Sequence, residues 1–404
     1  MLQESADVDF ELPPPTQEYR RQIKRIIAET VTPADIDLQH ETGTFNCPAL
    51  NRALAEHGLI ERAVPGLGVG DPIELWMLFN ELEKAAAPMD GLGVAVMIAG
   101  VVNHVGTESQ KERILPSILS GEALVCMGLS EPDYGSDLAS VTTRAVRDGD
   151  GWVINGAKMW TTMAHEARWL VLLTRTDLDA PKHRGLTMFI LPMDTPGITV
   201  EPVFTMGAER TNATFYDDVR VGDEWVLGAV DGGWEVLGVA LAFERGVMGG
   251  TNPAVPLLRR FGAWARQAGV IDDPIARERM ARVAIDNEVA ALLTQRTASI
   301  AAKGGLPGLE GSMTKVFASE AYLEAVRWFQ ELAGPEGLLQ RHEPGAAADG
   351  WIEADARHAP VTTIQGGTSE INRNNIAERH LGLPRSAGRR LAPRAPGSVE
   401  TTDA

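Results

Sequence analysis

At 404 residues, with 44% hydrophobic and 23% charged residues, the chain exceeds the roughly 250–300 residues at which a single core stops growing, so two or three domains are expected and a disordered or fibrous chain is excluded. A formal charge of −18 is the wrong sign for non-specific nucleic-acid binding, which needs clustered Lys and Arg to neutralise phosphates. Two cysteines, Cys47 and Cys126, offer no disulfide framework and no thiolate metal spacing, which fits a reducing compartment.

The first residues are acidic and lack a basic segment followed by an apolar one, so they do not resemble a secretory signal. The cytoplasm is the expected location. The longest apolar stretches, 92–102 and 236–243, fall well short of the ~20 residues that span a bilayer, and no membrane span is expected.

In chain order, residues 1–122 read as a helical domain. Apolar residues recur at three and four, with helices expected over 72–87, about 91–105 and about 109–119, the last opened by Thr107-Glu108 and stopped by Gly121. From Ala123 the texture changes to short β-rich runs at 123–129, 152–154, 169–175, 186–191, 198–203 and 213–215, which predict a compact antiparallel β-domain over 123–231. Asp148-Gly149-Asp150-Gly151 between two runs is a hairpin-turn signal, since glycine tolerates positive φ. After Gly232-Gly233-Trp234 helical spacing returns, with long segments at 274–301 and 311–333, so 232–384 reads as a helical bundle. The aperiodic Arg/Pro/Ala/Gly end, 385–404, is expected to be mobile. The fold class is therefore α+β: helices, then a β-domain, then helices.

Two segments carry chemistry. Met127-Gly128-Leu129-Ser130-Glu131-Pro132-Asp133-Tyr134-Gly135-Ser136-Asp137 is a strand end giving way to small and hydroxyl residues, where a ligand can approach backbone N–H groups. Alone it is equally a β-turn held by Asp and Ser side chains. Asn155-Gly156-Ala157-Lys158-Met159-Trp160-Thr161-Thr162 feeds an indole and hydroxyls out of a turn, an arrangement suited to a flat heterocycle, although a buried strand Trp reads the same way.

Together, and about twenty-five residues apart, these segments resemble the flavin-binding signatures of the acyl-CoA dehydrogenase family. The resemblance continues through His104-Val105-Gly106-Thr107, Met206-Gly207, Arg210-Thr211, Asp217-Asp218-Val219-Arg220-Val221, Glu244-Arg245 and Gly367-Thr368-Ser369-Glu370-Ile371, roughly over 20–385. It implies FAD as cofactor and α,β-desaturation of an acyl-CoA thioester, in which a carboxylate removes the α-proton while the β-hydrogen leaves as hydride to flavin N5. It implies that Ser130 and Thr162 hydrogen-bond the flavin ring, that Trp160 packs on it, and that Met127 and Leu129 contribute contacts from the strand end. Ser136 would meet the FAD phosphate or the CoA. Gly367, Thr368 and Glu370 would lie near the FAD of a neighbouring subunit, as would Gln330, although the sequence after Gln330 departs from the family's paired glycines.

Many members of this family carry the catalytic base as Glu in a Glu-Gly-Thr sequence nine residues after an Arg. Here the residue nine after Arg357 is Gly366. A minority place the base on a C-terminal-domain helix just before an Arg, and the matching pair is Glu244-Arg245, so Glu244 is the candidate base and Arg245 an orienting or substrate-contacting residue. Glu-Arg on a helix is ordinarily a solvated pair; here it follows the apolar run 236–243, where a carboxylate without a task is costly. Gly366 leaves space beside the acyl α- and β-carbons, which favours a branched, cyclic or bulky acyl group, and its N–H is a candidate donor to the thioester carbonyl.

The eight histidines show no metal-binding spacing, and the glycines at 66–70 and 91–93 lack the strand and acidic residue of a dinucleotide fingerprint. Two functional readings from different classes are kept: a homo-oligomeric dehydrogenase with Glu244 as base, and one subunit of a heteromeric dehydrogenase that needs a partner chain for FAD or activity. A related flavin oxidase is a third. The family implies an electron-transferring flavoprotein as acceptor.

Overall fold

A computed structural model describes residues 12–384 apart from 65, 68, 69, 249–251 and 304–307, with backbone alone at 245–248. The expected mobile tail and the Arg245 side chain lie outside the described residues.

Among the described residues seven helices come first: α1 (Pro14–Thr30), α2 (Pro33–Thr42), α3 (Pro48–Glu56), α4 (Leu59–Ala63), α5 (Pro72–Ala85), α6 (Asp90–Val105) and α7 (Glu108–Leu119). Their starts are written locally. The Asp71 carboxylate accepts from Ile73 N ahead of Pro72, and Thr107 and Gln110 form a reciprocal capping box on α7. α6 is apolar on nearly every side, and so it is buried, packed against α7 and a C-terminal helix.

Eight strands follow: β1 (Val125–Gly128), β2 (Arg144–Asp148), β3 (Gly151–Lys158), β4 (Trp169–Arg175), β5 (Leu186–Pro192), β6 (Ile198–Phe204), β7 (Arg210–Gly222) and β8 (Val226–Leu227). Among the described residues they form one sheet, seven of them in the order β6-β7-β3-β2-β4-β5-β8 and β1 off this path beside β4. The expected hairpin is present: Asp148 faces Gly151 across a two-residue turn, with Gly149 at φ +63. The sheet departs from expectation in being mixed. β1 runs parallel to β4 from Val125↔Trp169 to Gly128↔Leu172, while β2 touches β4 only at Arg144↔Arg175. The edge of β4 is thus shared, and the chain leaving β1 is free to make the loop that follows. β7 is also much longer than the expected 213–215. Asp217 and Asp218, the latter at φ +48, break its alternation of burial, which hides the strand from a period-2 reading.

β4 is buried along its whole length. Trp169, Val171 and Leu173 face the N-terminal helices, and Leu170 and Leu172 face the second layer of the β-domain, as the two-residue period of a strand requires. Each such side chain contributes about 1.5–3 kcal/mol on burial, so the sheet is fixed from both sides.

The last part holds α8 (Gly233–Met248), α9 (Ala254–Gln267), α10 (Pro274–Ala302), α11 (Leu309–Ala333), α12 (Trp351–Thr362) and α13 (Ser369–Asn374). α9–α12 share a core in which Phe261 and Phe329 stack at 3.9 Å. α8 packs instead on α5 and α6, with Val236, Leu237 and Ala240 in the N-terminal core. Among the described residues no helix is long and apolar enough to cross a membrane.

Candidate active site

The loop leaving β1 and the turn leaving β3 lie side by side, because Met159 N donates to Ser130 O at 2.9 Å. Met127, Leu129 and Ser130 are half-buried there, whereas Ser136 and Thr162 are exposed. Trp160 is 55% exposed and adopts φ +65, a left-handed conformation that a large side chain takes only when its surroundings hold it. They do: Thr161 N donates to Asn212 O at 2.9 Å, and Asn212 Nδ2 donates back to Thr161 O at 3.0 Å. The Thr162 hydroxyl is 3.2 Å from that of Thr211.

Beneath this surface sits an ion pair that the sequence reading did not anticipate. Lys158, fully buried, donates from Nζ to Glu131 Oε1 at 3.0 Å and to Leu129 O at 2.9 Å. Glu131 also accepts from Thr142 N (2.7 Å), Thr142 Oγ1 (2.8 Å) and Thr143 N (2.8 Å). Burial works against a charge on Glu131, but the Lys158 ammonium and these donors prevail and hold its carboxyl well below the usual range. The pair clamps one flavin-like segment onto the other. Both residues stand in the quoted motifs, but a lysine in a strand signals a solvated face, so only the fold reveals its burial.

An uncovered indole on the turn that carries Thr162, with the Ser130 loop joined to that turn through Met159 N, suits a flat heteroaromatic ring, one face packing and the ring edge hydrogen-bonding. Gly135 leaves the loop open: a Cβ there would meet nothing within 4 Å. These residues fit FAD.

On the C-terminal side, α12 runs into the turn 363–368. Gly366 and Gly367 have φ +65 and +81, a left-handed backbone that glycine adopts without the strain a side chain would add. Glu244, half-buried on α8, points at this turn: a Cβ built on Gly366 would stand 3.7 Å from Glu244 Oε1 and meets no other neighbour within 4 Å. The structure therefore brings together Glu244 and Gly366, which are 122 residues apart in sequence. Thr368 caps α13 by accepting from Ile371 N at 3.2 Å, and Glu370 is exposed in the first turn of that helix. Gln330 stands apart. It lies 15 residues beyond Lys315 on α11, about 22 Å along the axis, and Lys315 is the α11 residue that reaches the turn through Thr363 O.

An open concavity of about 750 Å³ between α7 and the β-domain, lined by Arg113, His165, Trp169 and Trp225 among others, includes none of these residues. Among the described residues no cluster of three or more His, Cys, Asp or Glu is placed to hold a metal.

Sequence profiles described as "Acyl-CoA dehydrogenase, N-terminal domain", "middle domain" and "C-terminal domain" match residues 14–122, 126–219 and 231–381. The chain is 38% identical over 341 residues to "Acyl-CoA dehydrogenase FadE34" of Mycobacterium tuberculosis, covering 82% of this chain and 46% of that protein, so it spans about half of that relative's length. Among solved structures it resembles "Tcur3481-Tcur3483 steroid ACAD" with a TM-score of 0.85 at 33% identity, covering 94% of this chain and 100% of that one. It also resembles the ChsE4-ChsE5 complex from Mycobacterium tuberculosis with a TM-score of 0.82 at 30% identity, over 94% of this chain and 100% of that one.

Proposed function

Because the chain belongs to the acyl-CoA dehydrogenase family of FAD-dependent oxidoreductases, we propose that it desaturates an acyl-CoA thioester between Cα and Cβ with Glu244 as the base. The observation that carries this reading is the Glu244 carboxylate facing Gly366, the position where many relatives carry that base themselves. Glu244 Oε1 takes the α-proton while the electron pair of that C–H bond becomes the new double bond. FAD, which Ser130, Thr162 and Trp160 would hold, would supply the acceptor for the β-hydrogen and its electron pair. The Gly366 N–H donates to the thioester oxygen as charge builds on it, a preorganised contact that commonly supplies about 2.7–4 kcal/mol. Ser130 and Thr162 orient the flavin ring and Trp160 packs on it. Ser136 serves the phosphate or CoA side, and Met127 and Leu129 supply contacts from the strand end. Gly367, Thr368, Glu370 and Gln330 serve a neighbouring subunit's cofactor, and Arg245 orients substrate.

A base on α8 leaves the wall at Gly366 without a side chain, which favours a branched, cyclic or polycyclic acyl group. A steroid acyl-CoA is the bulky case, in line with the printed name of one structural relative. The acceptor in this reading is an electron-transferring flavoprotein.

The test is an anaerobic absorbance titration of the purified protein with butyryl-, isovaleryl-, cyclohexanecarboxyl- and steroid-carboxyl-CoA, in wild type and Glu244→Gln. One ester should bleach the flavin, and the variant should slow that bleaching by about 10²–10⁴-fold. Normal bleaching by the variant removes Glu244 as base.

The second reading, a heteromeric enzyme, is supported by the likeness to a chain of the ChsE4-ChsE5 complex. A colourless chain that takes up FAD only with a second dehydrogenase-like chain would establish it, whereas a yellow homo-oligomer would refute it.

A further inference from the structure

The turn that carries Gly366 is held within itself where Gly367 O accepts from Asn372 Nδ2 at 2.8 Å, and its base is held at the Thr363 carbonyl. Thr363 O accepts from Ser369 N at 2.9 Å, which joins the two ends of the turn, and from Lys315 Nζ at 2.9 Å, which ties it to α11. The Lys315 side chain thus reaches from a long, well-packed helix to the base of a short glycine turn. The charges of carboxylates on three elements act on the same ammonium: Glu320 on its own helix, Glu370 on α13 and Glu244 on α8. Glu320 is itself paired with Arg373 of α13, at 2.7 Å through Nη2.

We propose that Lys315 is a positioning residue for the desaturation: through a charged donor it holds the 363–369 turn, and with it Gly366, opposite Glu244. The proposal rests on the reading of Glu244 as base. Physically, a turn containing two consecutive positive-φ glycines has little stiffness of its own, so the geometry between the Gly366 N–H and the Glu244 carboxylate is set by what anchors the turn. An ammonium-to-carbonyl bond is charge-assisted and roughly twice as strong as a neutral one. Burial lowers the Lys315 pKa to about 8, with Glu320, Glu370 and Glu244 opposing it, so this anchor weakens at mildly alkaline pH.

Three variants decide the matter. Lys315→Met keeps the aliphatic stem and removes the donor and charge, Lys315→Arg keeps both, and Glu244→Gln serves as the control for the base itself. Amide hydrogen exchange of the purified chain is followed over 363–372. That readout needs neither flavin nor substrate, and Lys315→Met is expected to accelerate exchange there at least tenfold while distant helices are unchanged. With the ester that bleaches wild type, Lys315→Met should lower the limiting bleaching rate by about 10–100-fold, the effect of small misplacement at a reacting centre, with its apparent substrate affinity changed less than threefold. Lys315→Arg should restore most of the rate and remove an alkaline limb near pH 8 that wild type shows. Wild-type exchange and rate in Lys315→Met overturn the proposal, and an alkaline limb that survives in Lys315→Arg overturns its charge component. Normal bleaching by Glu244→Gln defeats the base assignment alone, and amide exchange still decides whether Lys315 anchors the turn.

Discussion

Replacing Lys158 by methionine removes the buried donor that joins the two flavin-like segments. The Met side chain fills nearly the same volume, so the change is electrical: Leu129 O loses its 2.9 Å donor and Glu131 loses its counter-charge. Breaking a buried pair from one side generally costs about 3–5 kcal/mol, because an uncompensated charge is left behind. Glu131 keeps three donors from Thr142 and Thr143, which places the loss near the lower end, at about 3 kcal/mol. Urea unfolding followed by tryptophan fluorescence reads the loss by linear extrapolation. The double variant Glu131→Gln, Lys158→Met leaves no buried charge and should be less destabilised than Lys158→Met alone, which a double-mutant cycle reports as a coupling energy above ~1 kcal/mol. A Lys158→Met protein within ~0.5 kcal/mol of wild type, or a double variant whose losses simply add, would refute the clamp.

The same pair has a pH signature. Burial opposes ionisation of Glu131, but Lys158 and the Thr142 and Thr143 donors bring its pKa from 4.5 down to about 2. A depressed carboxyl pKa stabilises the fold fully above the unfolded value, and that contribution is lost as pH falls from about 4.5 towards 2; wild type should therefore lose more of its urea midpoint over this window than Lys158→Met does. Gly366→Ala places a Cβ 3.7 Å from Glu244 Oε1 at φ +65, so it meets no clash and loses about 1–2 kcal/mol to the left-handed backbone. Its kcat/KM should fall more for branched or polycyclic esters than for butyryl-CoA, and an equal fall for all would argue against pocket space. Trp160→Gly relieves the strained φ of +65 and gives up little burial, since the indole is 55% exposed. The unliganded protein should keep its thermal midpoint while FAD binding, read by flavin fluorescence, weakens about tenfold, the order of one aromatic contact; unchanged affinity would remove Trp160 from the cofactor site.

Much of this protein was legible from one dimension because the relevant physics is local. Pro72 behind Asp71, the Thr107–Gln110 box and the Asp148–Gly151 hairpin declare their own geometry, since caps and turns are satisfied by residues three or four apart. The segments 127–137 and 155–162 were readable as a flavin site only by their resemblance to a family's signatures, since each alone reads equally as an ordinary turn or strand. Tertiary structure alone decided what depends on distant partners. Strand β1 runs parallel to β4 although the sequence pattern pointed to an antiparallel domain, because strand direction is set by the neighbour found in space and leaves no mark on the alternation of side chains. Lys158 reads as a surface lysine until Glu131 and Leu129 O are placed against it. Glu244 and Gly366 were linked in the sequence only by family resemblance, as alternative places for one catalytic base. Their juxtaposition, and the anchoring of the turn between them by Lys315, exist only once α8, α11 and the 363–369 turn have packed together.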